Sequence, residues 1–221
     1  MGRAGKPYDC DLLLVPICPG LVGFGTHNCQ SMVNRNIPSL GRSLLIGGLG
    51  FAAVSLCVFA TVAFGERWMY RNLTVIGAYL AWTVLFILLG GAVLGSLVAG
   101  RWRLPRFYLL YGAAFFGYAV AWVVAYFGLD DPVDEWFGSF AASVLMALVF
   151  AAGFGVMRSV LKFSALLFIA NSIGYFSGAI LNARIGGSAG MLLWGVLYGL
   201  CLGAGIGAVL HFAQRWTTES S

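Results

Sequence analysis

Cys10, Cys18 and Cys29 lie in the leading segment together with His27, and thiolates with an imidazole are what zinc or an iron-sulfur centre would use. Two sulfurs on one tight turn would require a Cys-x-x-Cys pair, and none exists, so the spacing favours reduced bystander thiols and leaves metal binding by these four side chains open. Cys57 and Cys201 fall inside long apolar runs, where a thiol serves as a small apolar side chain. Asp130, Asp131, Asp134 and Glu135 could attract a cation, but Pro132 among them reads as a solvated turn. His211, near the end of the last apolar run, reads as an interfacial residue. No nucleophile stands beside a base and no glycine loop could cradle a phosphate, so no catalytic residue, metal site or cofactor is assigned and the chain is not read as an enzyme.

The informative polar groups are those set in apolar sequence. Ser164, Asn171, Tyr175, Gly178 and Asn182 follow spacings of seven, four, three and four, which aligns them on one helical face. A buried amide such as Asn171 carries donors and an acceptor and must find partners in neighbouring helices, in water or in a ligand. Two roles follow for Asn171, Tyr175, Asn182 and Ser164: hydrogen bonding between helices, or lining a path for a substrate.

The elements that must position these residues are apolar rods. In 221 residues, 60% are apolar and 10% charged, and the mean hydropathy is +0.89, which does not describe a water-soluble surface. The charges are clustered, leaving charge-free runs at 43–65, 72–100, 107–129, 136–157, 163–183 and 185–214. Each exceeds the roughly 18 to 20 residues that cross a hydrocarbon core as a helix. The expected fold is all-α: a polytopic membrane protein with six transmembrane helices near 43–64, 74–99, 107–129, 137–157, 160–181 and 189–212. Residues 1–42 form a Pro- and Cys-containing leading segment, 43–212 the membrane domain and 213–221 a short tail. Met32 offers an alternative start, with the segment upstream as an extension of the gene model.

Basic side chains resist translocation and accumulate in the cytoplasm. Arg3, Lys6, Arg35, Arg42, Arg101, Arg103, Arg106, Arg158, Lys162 and Arg215 fall on the side of both termini, against Arg67, Arg71 and Arg184 opposite. Both ends are therefore expected in the cytoplasm, and the protein in a cell membrane. Stable disulfides are not expected on that side. The net charge of +5 needs no nucleic-acid partner, since anionic lipid heads attract it. Trp68, Trp102, Trp136 and Trp216 sit near expected helix ends and read as interfacial anchors.

Glycines form the second pattern. Gly195, Gly199, Gly203 and Gly207 recur every fourth position, a glycine zipper whose bare backbone lets another helix approach closely, and Ala113, Gly117, Ala121 and Ala125 repeat the device. A shift of 83 residues brings Gly91 onto Gly174, Gly95 onto Gly178 and Arg101 onto Arg184, and a shift of 82 brings Gly117 onto Gly199. With three helices per unit, such a repeat is inverted, as in many transporters.

Leu94-Gly95-Ser96-Leu97-Val98-Ala99-Gly100-Arg101, followed by Arg103, Pro105 and Arg106, resembles the glycine-then-basic cytoplasmic loop of the major facilitator superfamily. Ala170-Asn171-Ser172-Ile173-Gly174 with Gly178-Ala179 is similar to a fifth-helix pattern in the membrane segments of spermidine-synthase-like proteins. The resemblance covers about half the chain. It departs at Gly100, where the family motif has an aspartate before the arginine, and in helix number, since six helices make one half of a twelve-helix facilitator. It implies a dimeric half-transporter or a module that no longer transports. Small-molecule transport is the leading expectation, with Arg101, Arg103 and Arg106 holding the cytoplasmic face. The alternative is a noncatalytic subunit or scaffold that packs into a larger membrane complex through its glycine stripes.

Overall fold

The computed structural model describes residues 37–99, 103–128 and 134–219, and the regular elements within them are helical. They are α1 (Leu40–Gly95), α2 (Arg103–Gly128), α3 (Asp134–Gly153), a single 3-10 turn (Met157–Ser159), α4 (Val160–Ile185) and α5 (Gly187–Glu219). All five α-helices are long and apolar enough to cross a membrane. Leu109 and Leu161 are 78% and 83% exposed, and such outward leucines suit a lipid-facing surface. The architecture is that of a multi-pass membrane protein. Cys10, Cys18, His27, Cys29, Met32, Arg101, Trp102, Asp130 and Asp131 lie outside the described residues, as do the side chains of Arg103 and Asp134.

Five helices rather than six result because α1 runs through the expected loop at 65–73. Its 56 residues would measure about 84 Å if straight, far more than a hydrocarbon core of about 30 Å. The chain instead doubles back at Thr74, whose φ of 61° and ψ of 173° are not helical. Phe51 and Phe86 stack at 5.7 Å between ring centroids, although 35 helical residues would hold them about 50 Å apart. α1 is thus a hairpin of two arms, 40–73 and 75–95. Glu66, Arg67 and Arg71 do not end the helix because their side chains are exposed, and the Asn72 amide donates back to the Trp68 carbonyl at 2.7 Å.

Thr74 is the sole described non-glycine residue at positive φ. That conformation belongs almost wholly to glycine, and its strain is of order 1–3 kcal/mol. The Thr74 hydroxyl recovers little of this, since the Gly77 N–H reaches it only at 3.5 Å. Thr74 is exposed, so Thr74→Gly removes no packing. The substitution is expected to raise stability by about 1 kcal/mol, read as a higher midpoint of thermal unfolding in detergent.

Glycines stop the later helices. Gly155 at φ 70° ends α3, with Val156 N–H donating to the Ala151 carbonyl and Gly155 N–H to the Ala152 carbonyl, the paired bonds of a Schellman motif. Gly186 and Gly187, at φ 70° and 59°, reverse the chain between α4 and α5.

The helices form one bundle with two distinct ends. Pro38, Leu97, Phe154 and Thr217 mark the terminal end; Thr74, Gly128, Asp134 and Gly186 mark the other, the Thr74 end. α5 is the central rod and packs most extensively on α1. Gly199 faces the Phe51 carbonyl, Gly203 the Gly47 carbonyl and Gly207 the Ser43 carbonyl, so that helix backbones meet without intervening side chains. Gly195 takes the Phe59 ring. Gly174 and Gly178 seat α4 on Tyr198 and Trp194 of α5, while Gly91 and Gly95 receive Tyr108 and Leu104 of α2. Gly117 differs, because the nearest atom to a Cβ there is Leu145 Cβ at 4.0 Å, and Ala113 of the same stripe is exposed. The two small-residue stripes therefore do different jobs in the fold.

α5 continues to Glu219, past its expected end at 212, because its last turns tie the terminal end together. Gln214 is buried, donates to the Leu97 and Leu210 carbonyls at 3.1 and 3.0 Å, and accepts from Ala99 N–H at 2.9 Å. One amide proton and the amide oxygen thus serve the Leu97 carbonyl and Ala99 N–H just past the end of α1, and the other proton returns to the Leu210 carbonyl of α5 itself. The Thr217 hydroxyl is shared between the Phe154 and Ala213 carbonyls, and His211 Nδ1 lies 2.9 Å from the Pro38 carbonyl. Trp216, expected as an anchor, stacks on Phe163 at 5.5 Å and lies beneath the Lys162 ammonium. Trp68 and Trp136 remain exposed.

Candidate functional site

The helices leave a cavity of about 340 Å³ running inward from the Thr74 end between both arms of α1, α2, α4 and α5, and a second of about 250 Å³ lies at the terminal end beside Pro38, His211 and Arg215. Thirteen of the twenty residues lining the larger cavity are aromatic, and its one charged lining residue is Glu66. Exposed Glu66, Tyr126 and Phe127 form the mouth, and Phe86, Phe115, Tyr118 and Tyr198 form the floor. The volume falls in the range of small-ligand pockets, and the wall combines apolar rings with a few polar atoms, as such pockets do.

Below the floor the bundle is filled. Phe51, Phe86 and Phe115 stack with Tyr111 and Phe107, centroid to centroid at 5.1 to 5.7 Å along the column from Phe86 through Phe115 and Tyr111 to Phe107. Phe51 and Tyr111 have no exposed surface. Together with the glycine-mediated contact of α5 on α1, this column separates the chamber from the terminal end.

A hydrogen-bonded network backs the floor. Tyr118 O–H donates to Asn171 Oδ1 at 2.6 Å, and Asn171 Nδ2 donates to Ser139 Oγ at 2.8 Å. Ser139 Oγ is 2.9 Å from Ser172 Oγ. Trp122 Nε1–H donates to the Tyr118 oxygen at 3.0 Å, and Tyr198 lies 2.9 Å from the same oxygen. Since Tyr118 has one proton and it points to Asn171, Tyr198 is the donor in that last contact. The chain of bonds joins α2, α3, α4 and α5 and ties down three aromatic side chains that line the chamber, Tyr118, Trp122 and Tyr198. Nearer the mouth, the Tyr175 hydroxyl donates to Glu135 Oε1 at 3.2 Å, and its ring lies 4.6 Å from Trp122 and 5.2 Å from Trp194.

Of the stripe on α4, Asn171 is fully buried with both ends of its amide bonded, and Tyr175 lines the chamber. Ser164 lies toward the terminal end, buried, with its hydroxyl unpaired among the described residues. Asn182 sits at the last turn of α4, where its carbonyl accepts from Gly186 N–H and its side chain packs on Gly190. The structure thus brings Tyr175 to the chamber wall, sets Asn171 behind the floor as the acceptor for Tyr118, and leaves Ser164 and Asn182 beyond it. Arg106 is exposed at the terminal end.

Tyr118, Trp122, Tyr198, Trp82 and Trp194 are site residues that polarity alone does not pick out. Tyr118 and Trp122 stand four apart, as do Trp194 and Tyr198, so paired amphipathic aromatics at helical spacing were the available signal. Among the described residues no group of His, Cys, Asp and Glu could hold a metal ion.

No protein-family model matches the chain, and neither a curated protein nor a solved structure does.

Proposed function

We propose that the protein carries a small molecule across a cell membrane, with six passes, both termini in the cytoplasm and the two arms of α1 counted as separate spans. The observation that carries this reading is the aromatic chamber, accessible from the Thr74 end and closed toward the terminal end by packed rings and glycine backbone. A chamber reached from one side is one of the two states an alternating-access carrier needs. The first unit of the proposed inverted repeat comprises the arms of α1 with α2, and the second comprises α3, α4 and α5. The chamber and the Tyr118–Asn171 bond both lie between these units, where such carriers hold their substrates. The facilitator-like half works as a dimer in the lipid bilayer, with Arg101, Arg103 and Arg106 on lipid phosphates at the cytoplasmic face. Gly199, Gly203 and Gly207 are already occupied by α1, so a partner in the scaffold alternative would have to use the stripe at Ala113 and Gly117.

The test is flux. Purified protein in liposomes is offered a panel of anionic, neutral and cationic organic solutes, and at least one is expected to move saturably. Ala119 lines the chamber, and Ala119→Phe puts a ring into it. That variant is expected to lose at least about tenfold in flux, equivalent to about 1.4 kcal/mol, while unfolding at a similar temperature. Absence of flux for the whole panel, or flux indifferent to Ala119→Phe, overturns the reading.

A further inference from the structure

Taking the larger cavity as the substrate chamber, we infer that its ligand is a monovalent organic cation with an apolar body and a hydrogen-bond acceptor. Three features of the chamber carry this. Aromatic rings attract cations through the ring quadrupole, most strongly where water is excluded, and most of the residues that line the chamber are aromatic. The charge that lines it is negative: Glu66 stands at the mouth, with Glu135 held behind Tyr175. The nearby Arg67 and Arg71 are exposed and do not line the chamber, and no basic side chain pairs with Glu66 among the described residues. An anion would meet Glu66 and the aromatic wall together.

The third feature is a pair of unused donors. Trp82 is 8% exposed and lines the chamber, and its indole N–H has no acceptor among the described residues; the N–H of Trp194, also in the wall, has none either. A buried N–H without a partner is costly, and a ligand oxygen would relieve it. A simple alkylammonium offers no such oxygen. An ammonium ester or amide offers the cation, the apolar body and the acceptor in one molecule.

Benzoylcholine and its uncharged carbon isostere, 3,3-dimethylbutyl benzoate, have the same shape and the same carbonyl and differ in charge. Binding is followed by tryptophan fluorescence of the purified full-length protein in detergent. Benzoylcholine is expected to bind saturably and at least about tenfold more tightly than the isostere. Glu66→Gln is expected to reduce that preference, and Trp82→Phe to weaken both compounds while leaving the preference intact. Equal affinity for the two compounds, or a preference unchanged by Glu66→Gln, overturns the inference. If benzoylcholine binds as expected and no solute crosses liposomes, the cation site stands and the carrier reading falls. If only anionic or neutral solutes cross, the carrier reading stands and the cation site falls.

Discussion

Gly203→Ala is expected to cost the bundle about 3 kcal/mol or more, at the upper end of overpacking penalties, because the added methyl lands on backbone. A Cβ at Gly203 coincides with the Gly47 carbonyl oxygen and the Phe51 side chain, and no rotamer change can remove a carbonyl. The helices must separate, and the separation spreads along the stripe. At Gly199 a Cβ would stand 2.7 Å from the Phe51 carbonyl oxygen and 2.8 Å from Ala52 Cα. Gly117→Ala provides the contrast. Its nearest neighbour is 4.0 Å away, so the better helix propensity of alanine should leave the protein unchanged or up to about 1 kcal/mol more stable. Thermal unfolding of the two variants in one detergent checks both signs. Similar losses at the two sites would mean that α5 does not rest on α1 as described.

Asn171→Ala is expected to be the most damaging polar substitution, at about 2 kcal/mol, since it removes a buried hydrogen bond from two groups at once. Tyr118 loses the Asn171 acceptor and Ser139 its amide donor, which leaves Tyr118 with Tyr198 and Trp122, and Ser139 with Ser172. Bonds between membrane helices measured singly are often worth less than 1 kcal/mol, and the larger figure comes from breaking a network that spans four helices. Ser164→Ala on the same helix should do the opposite. Its hydroxyl is buried without a partner, and removing it is expected to stabilise by about 1 kcal/mol. Equilibrium unfolding of both variants, with Tyr118→Phe alone and combined with Asn171→Ala, gives the coupling: the double variant should cost less than the sum of the singles.

Much of this molecule is written in hydropathy. The charge-free runs located α2, α3 and α4 to within four residues at each end, because a lipid solvent demands long apolar helices and tolerates little else. Two features escaped that logic. Residues 65–73 carry three charges and read as a loop, yet they continue the helix with those side chains outward, and the reversal falls at a threonine with no glycine or proline to announce it. The end of α5 reads as a tail because polar residues begin at His211, whereas Gln214 and Thr217 spend their polarity on carbonyls of other helices.

The site was legible in the same uneven way. Asn171 stood out because an amide in lipid is costly. Tyr118, Tyr198, Trp82 and Trp194 are counted as apolar in any composition, and their hydroxyls and indoles become informative only when helices from distant parts of the chain converge. The glycine stripes showed the converse limit. Spacing identified two smooth surfaces, and only the packing distinguishes the one pressed against backbone from the one at Gly117 that is not.

The central claim is that the chamber mouth and the chain's C-terminal helix end lie on opposite faces of a membrane. Single cysteines at Glu66 and Arg215, in a variant with all native cysteines replaced and the same unfolding temperature, can be probed on intact cells with a maleimide that does not cross lipid; both side chains lie on exposed residues. Glu66→Cys should be labelled from outside, and Arg215→Cys only after the cells are permeabilised. Labelling of both from the same side, or of Arg215→Cys alone from outside, would contradict the account.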